Sequence, residues 1–273
     1  ADIPMGEFWV RTHQDRSAIK MAGSIAHVNA KRIDGNQIVG AESYTGWHPD
    51  AAYQNFPYSL KAQGDDVYTV GLNRFIFHRF AHQPNVHANP GMSMGNIGFH
   101  FDRNNTWFEM GSKWLEYVAR CQYMLQQGNI VADALYLVSE NVPGSSRGAW
   151  NPDLPFGYFG DQLNAEMFLN AVKVDGDALV NEDGVRYRLL MIQNEQNKSM
   201  TIEVLRKIDE FVSAGGAVCG LAPVRTPNLS SDVEIREFKS LVEKLWGGIQ
   251  NGGSKNIGKG RVFATLDAGS VMK

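Results

Sequence analysis

Short apolar runs and longer amphipathic stretches take turns along this chain, a succession that predicts strands alternating with helices. The first strand lies in Ile3-Pro-Met-Gly-Glu7-Phe-Trp9, and Ser17 then opens a helix to Ala30 with Ala18, Met21, Ala22, Ile25 and Ala26 on one side. A second apolar run, Ile38–Ala41, stops at Glu42 and breaks into a loop with Tyr44, Trp47 and His48. A helix from Pro57 through Leu60 to Val70 leads to a strand at Phe75–Phe80. The stretch from His82 to Thr106, rich in Gly, Asn, Pro and Met, is too long for a passive connector and predicts a lid or a binding wall. A long amphipathic helix then covers Trp107–Gln127, with Gly128 as its stop.

The second half alternates more cleanly. Strands are expected at Ala132–Ser139, Tyr187–Ile192, Gly216–Leu221 and Gly260–Ala264, with helices at Gln162–Val172, Thr201–Ala214 and Asp232–Trp246. That order favours a parallel sheet covered on both faces, a flavodoxin-like or Rossmann-like doubly wound domain. The segment after its first strand, Ser139-Glu-Asn-Val-Pro-Gly-Ser-Ser146, has no nucleotide-binding glycine spacing, so an accessory or assembly role is expected. The domain boundary falls near residue 130, giving 1–130 and 131–273.

Composition narrows the function. With 273 residues, 43% hydrophobic and 20% charged, the chain has the make-up of a globular protein with a substantial core. A net charge of -3 argues against nucleic acid, and no apolar run approaches a membrane span. Cys121 and Cys219 read as buried thiols rather than a bridge. The opening Ala1-Asp-Ile-Pro, with no initiator Met and a strand following at once, reads as a piece whose start lies upstream. All 7 histidines and five of the 6 tryptophans fall in the first 150 residues, so chemistry is expected in the first domain and architecture in the second.

The candidate chemistry sits where apolar runs end. A parallel strand buried on both faces has no use for a charge, so an acid at its end faces a mouth. Glu42 and Glu7 occupy such places, and His78 and His82 end the third run. Trp9, Trp47 and Trp107 are either stacking platforms for a ligand or ordinary core. His78 and His82, four apart on a strand, share a face but stand further apart than a metal-chelating pair usually needs, so they are either polar contacts for a ligand or core histidines. Asp102-Arg103 is either a polar clamp or a surface turn, and Asn73-Arg74 is a structural pair where the third strand begins.

Several separated strings carry a resemblance: Pro4-Met-Gly-Glu-Phe-Trp9, Val39-Gly-Ala-Glu42, Gly71-Leu-Asn-Arg-Phe-Ile-Phe-His78, Ala81-His-Gln-Pro84, Pro90-Gly-Met92, Arg120-Cys-Gln122 and Gln127-Gly-Asn-Ile-Val-Ala-Asp133. Together, over most of residues 1 to 230, they resemble bacterial α-L-rhamnosidases of glycoside hydrolase family 106. The resemblance implies that residues 1–130 are the last strands of a (β/α)8 barrel. It also implies that the following domain is similar to the one after the barrel in family 42 β-galactosidases. By it, Glu7 would end the sixth strand, Glu42 the seventh and His78–His82 the eighth. Glu42 would be the base of an inverting, calcium-assisted reaction, with the acid on a fourth strand upstream of Ala1. Glu7 is then a substitute acid, a metal or sugar ligand, or a structural acid, and Tyr44, Trp9, Trp47, His78 and His82 would contact substrate. No metal site and no cofactor are expected within this chain, calcium being left to the full-length protein. The implied partners are a glycan and the missing half of the barrel, in the periplasm or outside a bacterium, with homo-oligomerisation open. A fragment with half a barrel is expected to be inactive alone. The rival readings are a non-catalytic carbohydrate-binding or assembly module and a β-galactosidase-like hydrolase.

Overall fold

In the computed structural model the described residues are 2–11, 16–29, 37–93, 95–138, 140, 154–192 and 199–272. His13, the expected helix end at Ala30, and all of 139–146 except Glu140 lie outside them. The chain divides into two compact units, one comprising 1–26 and 30–128 and the other 27–29 and 129–273.

The first unit runs β1 (Met5–Trp9), α1 (Ser17–Asn29, whose last three residues count with the second unit), β2 (Gly40–Thr45), α2 (Pro57–Tyr68) and β3 (Arg74–Phe77), then a 3-10 turn at Glu109–Gly111 and α3 (Ser112–Leu125). The strands form a parallel sheet in the order β1-β2-β3. Each crossover is a helix, as parallel pairing requires. Gly6 lies hard against α1, where a Cβ would stand 2.9 Å from the backbone of Ala18 and Ile19. On the helix side Phe8, Ile19, Ala22, Ala41, Tyr44, Leu60, Val67, Leu72, Phe99 and Trp114 make one core. The opposite side of the sheet is open: Met5 is 50% and Ile76 41% exposed. Asn73 ties the beginnings of β2 and β3, accepting from Val39 N and donating to Gln37 O, both at 2.8 Å. The structural role expected of Asn73 is the one it has.

In the second unit β4 (Ala134–Leu137), β5 (Gly160–Leu163), α4 (Ala165–Asn170), β6 (Val172–Asp175), β7 (Ala178–Asn181), β8 (Arg186–Tyr187) and β9 (Leu189–Ile192) are followed by α5 (Ile202–Ala214), β10 (Ala217–Cys219), α6 (Asp232–Trp246), β11 (Ser254–Ile257), β12 (Gly260–Phe263) and α7 (Ala268–Val271). A six-stranded sheet runs β11-β12-β10-β9-β4-β5, parallel except for β11. Counted along the chain, its five parallel strands stand in the order 2-1-3-4-5. Its main core gathers Leu135, Leu163, Leu190, Ile208, Phe211, Val218 and Val262. The other face, with Tyr136, Met191 and Cys219, is buried beside Leu154 and the short α7.

Two expectations fail here. Gln162 and Leu163 belong to β5 rather than to a helix, because a tertiary partner overrides the local pattern. Asp161 is fully buried, accepting from the Tyr187 hydroxyl at 2.7 Å and lying 2.8 Å from His27 Nδ1. Burial, and then the charge of Asp161, push the Tyr187 hydroxyl well above the usual phenol range. The second miss is a separate antiparallel sheet, β6-β7-β8, whose first hairpin turns through Gly176 at φ 60° and Asp177.

Lys207 holds the end of α4. Its ammonium donates to the carbonyls of Phe168, Leu169 and Val172 at 2.6, 3.0 and 2.5 Å. Lys207→Met keeps the stem and strips these three acceptors, so it is expected to cost about 1.5–3 kcal/mol, measured as a lowered urea midpoint at unchanged slope. Cys121 and Cys219 are both free. Cys219 is buried, donates to Thr265 O at 3.0 Å and has its thiol pushed up to about 12 by burial, then by Asp267. It is an inert core thiol, whereas Cys121 is half-buried rather than buried as expected.

Candidate active site

The pairing register puts two acids side by side. Glu7 of β1 is the direct partner of Glu42 of β2, so both project from the open side of the sheet, about 4.8 Å apart at the backbone. Glu42 lies within β2 rather than at its end, because the strand starts at Gly40 and runs on to Thr45. Its side chain is 40% exposed, and His78 Nε2 lies 4.0 Å from Oε1. His78 belongs to the same face: its amide bonds Ser43 O at 2.9 Å, continuing the ladder one residue past β3.

A β-bulge completes the surroundings of Glu42. The β1–β2 pairing shifts between Phe8 and Trp9, so that Phe8 opposes Ser43 but Trp9 opposes Thr45, and the extra residue is Tyr44 at φ 62°. Without the bulge, strict alternation would turn Tyr44 to Glu42's side and Thr45 away. With it, Thr45 returns to that side and its hydroxyl donates to Glu42 Oε1 at 2.5 Å. Tyr44 goes to the helix side, and this corrects its expected role as a substrate contact. It is 1% exposed, its ring meets those of Phe8, Phe75, Phe77, Phe99 and Trp114, and its hydroxyl donates to Leu60 O at 3.3 Å. Burial, and then Tyr68, raise that hydroxyl far above the ordinary phenol range.

Aromatic side chains mark the rim. Trp9 and Trp47 stack with centroids 6.1 Å apart and planes 29° from parallel, and Trp47 is 58% exposed. Trp107 is core, its ring against Phe99, Phe101 and Trp114 and its Nε1 donating to Asn55 O at 2.7 Å. His82 is exposed on the irregular segment after β3. Since β3 ends at Phe77, the shared strand face expected for His78 and His82 does not exist.

From 78 to 108 the described residues form no helix or strand. The segment holds itself by internal bonds, Arg103 to Ala88 O at 2.9 Å, Asn104 Nδ2 to Pro90 O at 2.8 Å and Asn105 Nδ2 to His100 O at 2.6 Å. Asp102 is buried and Arg103 exposed, so they are neither a joint clamp nor a plain surface turn.

Calcium takes six to eight oxygen ligands. Among the described residues no group of three His, Cys, Asp or Glu side chains stands close enough to hold a metal. The two carboxylates at positions 7 and 42 do not by themselves fit such an ion. A cavity of about 430 Å³ in the second unit, lined by Asp133, Arg186, Arg188, Leu189 and Met272 among others, offers no pair of acids. Its two arginines are already engaged with Asp175 and Asp177.

A family model described as alpha-L-rhamnosidase, glycoside hydrolase family 106, matches residues 1–273. A provisionally named beta-glucuronidase from Formosa agariphila is 35% identical over 251 residues, covering 90% of this chain and 20% of that protein. The solved rhamnosidase from Novosphingobium sp. PP1Y superposes with a TM-score of 0.85 at 32% identity, over 100% of this chain and 26% of its own. Gan42B, a family 42 β-galactosidase from G. stearothermophilus, shares the α/β fold at a TM-score of 0.50 and 12% identity, over 95% of this chain and 46% of its own. The chain thus spans about a quarter or less of the two nearer relatives named here. Matched by the family model from end to end, this chain belongs to the α-L-rhamnosidase family, glycoside hydrolase family 106.

Proposed function

We propose that this chain is the part of a glycoside hydrolase that carries the last strands of its catalytic (β/α)8 barrel and the flavodoxin-like domain after it. The full-length enzyme cleaves α-L-rhamnosides or related glycans in the periplasm or outside a bacterium. One observation carries the reading: Glu42 stands half-exposed on the open sheet face, directly beside Glu7, bonded by Thr45 and 4.0 Å from His78.

Glycoside cleavage needs a carboxylic acid for the leaving oxygen and a carboxylate for the anomeric side. With Oε1 of Glu42 engaged by Thr45, Oε2 is free to take a proton from the attacking water. Inverting pairs stand about 6.5–9.5 Å apart, to leave room for that water. Glu7 and Glu42 stand about 4.8 Å apart at the backbone, a spacing that suits two groups sharing one sugar better than an inverting pair, so we assign Glu7 to holding sugar hydroxyls and the acid to a strand outside this chain. His78 shares that work, and Trp9 and Trp47 form the stacking wall.

An aryl-glycoside panel tests the substrate. The α-L-rhamnoside is expected to be turned over fastest, and the name of the Formosa relative adds a β-glucuronide to the panel. A protein that binds sugar but hydrolyses no member of the panel would be a binding module instead. In the same assay Trp47→Ala is expected to raise KM about three- to tenfold with an unchanged melting temperature, because an exposed stacking ring contributes about 0.5–1.5 kcal/mol.

A further inference from the structure

Behind His78 lies a group of buried polar atoms with no hydrogen-bond partner among the described residues. All three guanidinium nitrogens of Arg79, Oδ2 of Asp102 and Nδ1 of His100 are buried without a hydrogen-bond partner. The three residues are 6%, 1% and 1% exposed. Burial lowers the Arg79 pKa and the charge of Asp102 opposes that shift, yet among the described residues no ion pair joins the two. His100 Nε2 lies 2.9 Å from Gly95 O and therefore carries the ring proton, which leaves Nδ1 as an acceptor. Tyr53 stacks on His100 with centroids 4.2 Å apart, and its hydroxyl is pushed up by burial and then by Asp102.

A buried guanidinium near a buried carboxylate it does not touch leaves either a void or water between them. The chemistry selects water. Arg79 brings five N–H donors, and Asp102 Oδ2 and His100 Nδ1 are acceptors, so a bridging water can accept from the first and donate to the others. The position of the pair gives it leverage on the site. Phe99 N bonds His78 O at 3.1 Å and Phe101 N bonds Arg79 O at 2.9 Å, so the segments carrying the two charges are laced together at His78. The fit there is close: a Cβ on Gly98 would stand 2.6 Å from His78 O and 2.9 Å from its Nδ1.

We propose that ordered water bridges Arg79 to Asp102 and His100, and that this hydrated ion pair locks the wall after β3 so that His78 faces Glu42. Arg79 and Asp102 are thus positioning residues for the site. The catalytic half of this inference rests on the glycosidase reading; the hydration half does not.

A high-resolution crystal structure of the full-length protein tests the hydration. Water within hydrogen-bond distance of both Arg79 and Asp102 is expected, and a direct contact between them or a dry gap overturns the proposal. Kinetics test the positioning, at a temperature well below melting. Asp102→Asn and His78→Ala are each expected to lower kcat/KM about tenfold or more, and the double variant to be no worse than His78→Ala alone, because groups acting through one another are not additive. Additive losses, or an Asp102→Asn protein that melts earlier but turns over normally, overturn it. If Asp102→Asn does not fold, Arg79→Lys in the same cycle takes its place. Full turnover in Glu42→Gln would reject the glycosidase site itself, and the water positions would still judge the ion pair.

Discussion

Replacing Glu42 by Gln in the full-length enzyme is expected to lower kcat by about 10²–10⁴-fold, the range that a positioned general base contributes. The amide keeps the size of the side chain and can still bond Thr45, but it cannot take a proton from water. Melting temperature and sugar binding should therefore stay at wild-type values. Steady-state kinetics on the aryl glycoside alongside calorimetric sugar titration make the check. A variant that binds and turns over sugar as before would place the chemistry elsewhere. Glu7→Gln is the useful contrast, since a sugar-holding acid should show its loss more in KM than Glu42 does.

Tyr44→Ala is expected to destabilise the first unit by about 3–5 kcal/mol, the usual range for removing a large buried aromatic. The ring is the hub of that core, in contact with five other aromatic side chains. Tyr44→Phe keeps the packing and gives up one long hydrogen bond to Leu60 O, so it should cost only about 0.5–1.5 kcal/mol and leave KM alone. Gly64→Ala probes the same spot from the other side: its Cβ would stand 2.3 Å from the Tyr44 hydroxyl and 3.2 Å from Phe75. Overpacking of this kind costs about 1–3 kcal/mol. Denaturant unfolding of the three variants ranks them, and a Tyr44→Phe protein with weakened sugar binding would return Tyr44 to the site.

Long amphipathic segments were the legible part of the fold. The helix expected at Asp232–Trp246 has those bounds, with Ser231 and Glu234 forming a capping box at its start. Short hairpins went unread although their turns carry a signal: Gly176 and Gly258 have φ of 60° and 58°, in two-residue connections of β6–β7 and β11–β12. β5 was hidden for another reason, because Asp161 and Gln162 look wrong for a buried strand until Tyr187 and His27 supply the partners of Asp161. In the site, apolar runs interrupted by carboxylates pointed to positions 7 and 42. What they could not show was that the two are opposed across a strand pair, since register emerges only when the sheet is assembled. Thr45 carried no signal at all.

The bulge at Tyr44 makes the chain intolerant of length change between positions 42 and 45. Removing Tyr44 would restore regular pairing and leave Thr45 on the side of Glu42, but it would strip the helix side of the ring on which five aromatic neighbours converge. Among homologues, insertions and deletions should accumulate in the loops flanking β2 and spare this interval, whatever sugar each protein accepts.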